Sequence, residues 1–166
     1  YVATSNKRMF KFNDNEKFEK AQIIQGSKIH SIQKIDRKLF ISTNLENVMF
    51  DGKNVNYMKD GFPRTEIKDV FHYGGETWFV SENQIIKKNG KKFGTEKIKF
   101  SKNNVKIQSF IYYDGVEYFG TNKGLWLRKG KVNPSLIKNL NITSLDITDS
   151  GYILIGSKKG LHYYKN

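Results

Sequence analysis

The sequence predicts an all-β fold, a β-propeller built from four-stranded antiparallel blades of about 38 residues. Two markers repeat in step along the chain. The first is a Ser or Thr that ends an apolar run, spaced by 38, 38, 40 and 36 residues at Ser5, Thr43, Ser81, Thr121 and Ser157. The second is an isoleucine that opens a short apolar segment, spaced by 38, 40 and 35 residues at Ile29, Ile67, Ile107 and Ile142. One shared period for both markers indicates a repeated structural unit.

The last unit shows how one repeat divides into strands. Residues 142–147 alternate apolar and polar side chains, as expected of a strand with one covered face. Residues 152–156 form a nearly continuous apolar run, which is typical of a strand covered on both faces. The turns Asp149-Ser150-Gly151 and Ser157-Lys158-Lys159-Gly160 separate these strands from a third strand at residues 161–164. Turns every eight to twelve residues leave no room for a helix.

A fourth strand is predicted after a second tight turn in the other units. The dipeptides Asp51-Gly52, Asn89-Gly90 and Lys129-Gly130 mark these turns, and Asp-Gly and Asn-Gly are strong hairpin signals. Weaker apolar segments at residues 55–58, 97–100 and 131–136 follow them and are predicted to form the fourth strands. Nearby lysines would discourage pairing of these outer strands with other molecules.

We expect the whole chain, residues 1–166, to be a single propeller domain or a fragment of one. Its approximate units are residues 1–28, 29–66, 67–106, 107–141 and 142–166. The first unit lacks its first strand and the last lacks its fourth, and the chain opens as if in mid-strand. About five blades are therefore expected. They could close a ring alone, but we favour a larger ring with further blades from the same or another chain.

Composition limits the classes of function. The 166 residues carry 29 Lys and Arg against 16 Asp and Glu, a net charge of +13, and include no cysteine. The charge permits an anionic polymer as partner, although a solvated lysine-rich surface explains it equally well. The lack of cysteine excludes disulfides, thiolate metal sites and a cysteine nucleophile. No apolar run is long enough to span a membrane.

The repeat resembles the two-component-regulator propeller repeat. The segment from Ile107-Gln108-Ser109 through Asp114-Gly115 to Gly120-Thr121 and Gly124-Leu125 carries this resemblance. The last unit matches equally well, whereas Asn47 and Gln84 stand roughly where the pattern has glycine. The resemblance implies a bacterial sensor propeller, outside the cytoplasm, that binds a ligand such as a glycan. A cytoplasmic location is the alternative.

Motifs of catalysis and metal binding are not evident. The three histidines, His30, His72 and His162, share no ligand spacing, and His30 on a first strand is more simply explained as a packed side chain. The carboxylates lie mostly in turns, where they bind local backbone. Trp78 and Trp126 occupy apolar strands and are expected to pack between blades. We therefore predict no catalytic residues, no metal site and no cofactor.

Binding is expected at one rim, where the second-to-third-strand turns and the inter-blade loops meet. The candidate residues there are Arg8, Phe62, Arg64, Glu82, Lys123 and Lys158. Arg and exposed aromatic side chains are typical of binding hot spots. The predicted function is non-catalytic recognition of a glycan, peptide or protein partner. The alternatives are a surface that binds nucleic acid or an anionic glycan, and a propeller lyase or hydrolase.

Overall fold

A computed structural model describes residues 28–58, 62–73, 75–89 and 92–165, together with the backbone of three strands nearer the start of the chain. All of the regular secondary structure in this part of the chain is β, and it comprises eighteen strands in five antiparallel sheets. In each sheet the strands lie side by side in sequence order, which is the pattern of a propeller blade. The all-β fold class is therefore confirmed.

The chain divides into two compact units, and the first covers Tyr1–Ile67. It contains two sheets. The first sheet contains β1 (Val2–Ala3), β2 (Arg8–Phe12) and β3 (Phe18–Ile23), and the second contains β4 (Ile29–Ile35), β5 (Lys38–Thr43), β6 (Asn47–Phe50) and β7 (Val55–Tyr57).

The second unit covers Lys68–Asn166 and contains three sheets. The third sheet contains β8 (Asp69–Tyr73), β9 (Glu76–Val80), β10 (Gln84–Asn89) and β11 (Lys92–Lys97). The fourth contains β12 (Ile107–Tyr113), β13 (Val116–Thr121), β14 (Gly124–Lys129) and β15 (Ser135–Lys138). The fifth contains β16 (Ile142–Ile147), β17 (Ile153–Ser157) and β18 (Gly160–Tyr164).

The fourth strand of the third sheet and that of the fourth sheet begin at residues that differ from the predicted ones. β11 covers Lys92–Lys97 rather than residues 97–100, and β15 covers Ser135–Lys138 rather than residues 131–136. In the third sheet β11 pairs with β10 along its whole length, from Asn89↔Lys92 to Gln84↔Lys97. Backbone pairing therefore overrides the apolar pattern that placed this strand later.

The repeated Ser and Thr anchors have one structural role. Each described anchor hydroxyl donates a hydrogen bond to the carbonyl three residues later, across the turn between the second and third strands. The distances are 2.6 Å for Thr43–Glu46, 3.4 Å for Ser81–Gln84, 2.8 Å for Thr121–Gly124 and 3.0 Å for Ser157–Gly160. These bonds also show that Glu46, rather than Asn47, is the equivalent of Gly124.

The residue two positions after the marker isoleucine, Asp69 after Ile67 and Ser109 after Ile107, links neighbouring sheets of the second unit. Asp69 on β8 accepts hydrogen bonds from the Ser109 hydroxyl at 2.7 Å and from the Phe110 N–H at 2.9 Å. Ser109 in turn accepts one from the Leu145 N–H at 3.0 Å. The same position therefore joins the third sheet to the fourth and the fourth to the fifth.

The carboxyl group of Asp69 gives this link a pH dependence. Burial raises its pKa above the ordinary 3.8, and the hydrogen bonds from Ser109 and Phe110 oppose that rise only in part. Because the pKa is higher in the folded than in the unfolded state, the stability from this group is complete below 3.8. It is lost as pH rises through the folded-state pKa.

We therefore expect Asp69→Asn to gain stability relative to the wild type as pH rises from about 3.5 to about 7, because asparagine keeps an acceptor oxygen and does not ionise. Urea unfolding at both pH values measures the difference. Asp51→Asn is the control of opposite sign, since backbone N–H groups of Asn54 and Lys53 lower the pKa of Asp51. If the free energy of unfolding changes with pH equally in Asp69→Asn and in the wild type, the pKa of Asp69 is not raised in the folded state.

Apolar clusters fill the spaces between the sheets of the second unit. One packs the third sheet against the fourth and includes Trp78, Val80, Phe119 and Trp126. A second packs the fourth against the fifth through side chains that include Tyr118, Leu125, Ile142, Ile153 and Ile155. Trp78 and Trp126 are 3% and 0% exposed, so the prediction that the tryptophans pack between blades is confirmed.

Candidate functional site

The first unit contains a pocket at the predicted rim. Its volume is about 430 Å³, and its wall includes Glu46, Tyr57, Phe62 and Arg64. Arg64 is exposed, whereas Phe62 is only 7% exposed and packs against Phe40 with a ring separation of 6.2 Å. The expectation that Phe62 is an exposed aromatic is therefore wrong, because the ring closes over the second sheet. Phe62 can contact a ligand only as part of the pocket wall.

Three of the other rim candidates lie in the second unit. Glu82 forms ion pairs with Lys106 at 2.9 Å and Lys68 at 3.7 Å, and the Lys106 bond is the main cause of its lowered pKa. Lys123 donates to the Asn103 carbonyl at 2.8 Å, and Lys158 is exposed in the turn before β18. Arg8 is the first residue of β2, and its side chain lies outside the described residues. Within the second unit, Glu82 and Lys123 thus contact different partners.

The second unit contains a cleft that the sequence did not predict. Its volume is about 670 Å³, and it lies between the third and fourth sheets, near the turns at Gly115 and Gly130. These turns join first to second and third to fourth strands, so the cleft does not belong to the predicted rim. We call it the inter-sheet cleft, and its wall includes Trp78, Lys87, Thr95, Glu96, Tyr112, Glu117, Arg128 and Lys131.

An ion-pair network forms one wall of the inter-sheet cleft. The Arg128 guanidinium pairs with Glu117 of its own sheet and, through two nitrogens at 2.5 and 3.1 Å, with Glu96 of the third sheet. The Arg128 side chain is 7% exposed and that of Glu96 is 59% exposed. The two carboxylates raise the pKa of Arg128 above its ordinary value, against the opposing effect of burial. The guanidinium is therefore a fixed charge, and Glu96 presents carboxylate oxygens to solvent.

Aromatic rings line the cleft beside this network, since Tyr112 is the cross-strand neighbour of Glu117. Trp78 and Tyr112 lie with ring centroids 5.0 Å apart, and the Lys87 ammonium lies 5.2 Å above the Trp78 ring. Lys87 also pairs with Glu76 at 2.7 Å. Trp78 is buried and Tyr112 is half-buried, so Tyr112 offers the accessible aromatic surface. The cleft thus combines an aromatic surface with hydrogen-bond donors and acceptors that are already held in position.

Strand register could have revealed part of this cleft. Counting outward from the Thr121↔Gly124 pair places Glu117 directly opposite Arg128. Alternation then puts both on the face that carries Phe119 and Trp126, and therefore toward the third sheet. Glu96 could not be placed in this way, because its position on β11 depends on where that strand begins.

The histidines form separate contacts. His30 Nδ1 lies 2.7 Å from Glu66, and His72 Nδ1 lies 2.8 Å from the Thr77 hydroxyl. Within the described ranges, no group of three or more His, Cys, Asp or Glu side chains could hold a metal ion. The same ranges contain no helix that is both long and apolar enough to span a membrane.

Comparison with known proteins shows which sequences this chain resembles. No family model matches the chain. The chain is 30% identical to the uncharacterized protein MG414 of Mycoplasma genitalium, in an alignment that covers 91% of the chain and 15% of that protein. The chain thus spans less than a sixth of the length of this curated relative.

Solved structures identify the fold. The extracellular domain of a putative hybrid two component system, BT4673 of B. thetaiotaomicron, superposes with a TM-score of 0.72 at 16% identity over 99% of this chain and 26% of that one. The chain has a β-propeller fold. A second structure of the same domain, described as part of a one component system, gives 0.71. Streptogramin B lyase gives 0.69 at 9% identity over 96% of this chain and 62% of the lyase. The resemblance to sensor-type propellers is thus confirmed for the fold.

Proposed function

We propose that this chain is a non-catalytic recognition module and that the inter-sheet cleft binds its ligand, a glycan, a peptide or a protein segment. The observation that supports the proposal most strongly is the Arg128 network beside Tyr112. Its charges are already paired, so a ligand meets fixed donors and acceptors without the cost of orienting them. Glu96 can accept bonds from hydroxyl or amide groups, and the Lys131 ammonium can donate them.

The balance of charge in the cleft favours a ligand without strong net charge. Glu96 and Glu117 face Arg128, and Lys87 is paired with Glu76, which leaves Lys131 as the additional cation of the wall. A polyhydroxyl or amide ligand uses both donors and acceptors, as this wall provides. Similarity to an extracellular sensor domain supports an extracytoplasmic location as part of the same proposal.

Binding measurements on designed variants test this proposal. A panel of neutral oligosaccharides and unmodified peptides is screened by thermal shift, and hits are titrated by calorimetry. We expect Glu96→Gln and Lys131→Ala each to weaken binding about tenfold, because each removes a charged hydrogen-bond partner. Lys159→Ala, in the exposed turn before β18, serves as the control and is expected to bind normally.

The pattern of failure separates the alternatives. Binding that survives both cleft substitutions but is lost in Arg64→Ala or Glu82→Gln would reject the cleft and favour the rim. Chemical conversion of a ligand without stable binding would reject the recognition function and favour the lyase or hydrolase alternative.

A polyanion surface is the second candidate, and the distribution of charge favours it. Residues 68–166 hold 17 Lys and Arg against 8 Asp and Glu, a net charge of +9. Exposed lysines at positions 88, 92, 97 and 99 lie on or beside β10 and β11. Adding heparin and duplex DNA to the same panel distinguishes this candidate from ligand binding in the inter-sheet cleft. Binding of a polyanion should fall steeply as the salt concentration rises, and it should not change with the cleft substitutions.

A further inference from the structure

One glycine in the wall of the inter-sheet cleft is not required by the fold. Gly94 lies inside β11 and outside the left-handed backbone region, and a Cβ atom there would meet nothing within 4 Å. The other glycines inside strands of the second unit differ, because a Cβ atom at Gly120 or Gly156 would collide with side chains of β16. Glycine weakens the interior of a strand, and it often marks a place where another group approaches the backbone closely. Gly94 therefore points to a ligand contact in the cleft.

The neighbours of Gly94 on the third sheet leave its surface open. Strand pairing places Trp78, Lys87 and Gly94 side by side across β9, β10 and β11, on the face toward the fourth sheet. The repeat equivalent of Lys87 in the fourth sheet is Leu127, which packs into the cluster between the fourth and fifth sheets. Lys87 instead extends over the Trp78 ring, and therefore away from Gly94. Gly94 is accordingly exposed within the cleft.

The fourth sheet contributes a second row of side chains to the cleft. Tyr112, Glu117 and Arg128 lie side by side on β12, β13 and β14. Arg128 reaches across to Glu96, which is two residues beyond Gly94 and on the same face of β11. The open space over Gly94 therefore lies close to a fixed guanidinium, in a cleft that also presents the ring of Tyr112.

We propose that the space over Gly94 receives an aromatic side chain of a peptide segment, and that this peptide is the ligand of the inter-sheet cleft. The inference rests on the proposed recognition function and selects the peptide among its ligand classes. An aromatic ring packs well over a glycine of a β-sheet. Lys87, Arg128 and Lys131 place positive charge around the cleft, and such charge attracts the negative face of an aromatic ring. The ring carries no net charge, so the ion pairs of the wall stay intact, and Tyr112 offers a partner for offset stacking.

Short peptides test the preference for an aromatic side chain. Terminally blocked pentapeptides carry phenylalanine, leucine or alanine at the centre, flanked by serine and glycine, and are titrated into the protein by NMR. We expect the phenylalanine peptide to bind about tenfold more tightly than the leucine peptide, because only the aromatic ring gains from stacking and from the nearby cations. Equal affinities for these two peptides would overturn the proposal, since leucine is also a large apolar side chain.

Substitution of Gly94 tests where the aromatic ring binds. Gly94→Val adds a side chain that suits a strand and meets open space, so the melting temperature should be unchanged or higher. The same substitution should weaken binding of the phenylalanine peptide at least about tenfold, because the valine occupies the place of the ring. Ser135→Val is the matched control, since Ser135 is the exposed repeat equivalent of Gly94 on β15 and does not line the cleft. Unchanged peptide binding in Gly94→Val would refute the assigned position.

The same experiments distinguish failure of this inference from failure of the recognition function. If an oligosaccharide binds and is weakened by Glu96→Gln and Lys131→Ala, while the phenylalanine peptide does not bind, the cleft remains a recognition site and the aromatic peptide is rejected. If neither the oligosaccharides nor the peptides bind, both proposals fail.

Discussion

Substituting Gly124 with alanine is expected to reduce the free energy of unfolding by about 4 kcal/mol. Two costs combine at this position. Gly124 has a φ of +136°, a backbone conformation that side-chain-bearing residues rarely adopt. A Cβ atom there would also lie 2.4 Å from the Leu136 side chain and 2.4 Å from the Lys138 carbonyl oxygen. Part of the obstacle is backbone, so β15 would have to move away from β14.

Gly160 provides a matched control for this prediction. It is the repeat equivalent of Gly124 and has a φ of +106°, but a Cβ atom there meets nothing within 4 Å. Gly160→Ala should therefore show only the backbone cost of about 1–2 kcal/mol. Chemical denaturation of both variants measures the difference. Equal losses would show that close approach of β15 contributes nothing.

Removing the guanidinium of Arg128 is expected to cost about 3 kcal/mol of stability, as when one partner of a buried ion pair is lost. Arg128→Met keeps most of the side-chain volume but leaves the Glu117 carboxylate, 16% exposed, without its cation. The same substitution removes the ionic link between the third and fourth sheets. Urea unfolding with tryptophan fluorescence measures the loss, since Trp78 lies in the wall of the same cleft.

The two partners of Arg128 should differ in their contributions. Glu96 is 59% exposed, so Glu96→Gln should cost at most about 1 kcal/mol. Combining Glu117→Gln with Arg128→Met should restore part of the stability, because the unpaired buried charge is removed. If the double variant is as unstable as the sum of the single ones, the network does not act as proposed.

The repeat was predictable because its markers have local causes. Anchors such as Thr121 recur because a hydroxyl must cap the turn across to Gly124, and this turn lies within four residues of sequence. The Asp114-Gly115 turn is equally local, since positive φ values of 49° and 75° are needed at adjacent positions of a tight hairpin. Such constraints appear in one sequence without any alignment.

The fourth strands were harder to predict, because the pattern of their side chains does not indicate which residues pair. β11 has the sequence Lys-Phe-Gly-Thr-Glu-Lys, in which no apolar alternation is visible. Its bounds follow from the ladder to β10 rather than from burial. The apolar residues predicted to form the strand instead follow it, where Ile98 packs into the cluster between the third and fourth sheets.

The residues of the candidate site also divide into those that local sequence predicts and those that it does not. Rim residues such as Arg64 and Lys158 were placed from turn positions alone. The cleft needs Glu96 from the third sheet and Arg128 from the fourth, which are 32 residues apart and approach through the packing of two sheets. The burial of Phe62 likewise depends on its packing against Phe40 of the second sheet.

The repeat, the turns and the all-β class follow from the sequence alone, because each depends on hydrogen bonds and alternation within a few residues. Two features required the three-dimensional structure: the link from Asp69 on the third sheet to the fourth, and the ion pairs of Arg128 with two carboxylates beside a cleft. Contacts between sheets depend on which faces meet and in which register. That information arises only when complete sheets pack together.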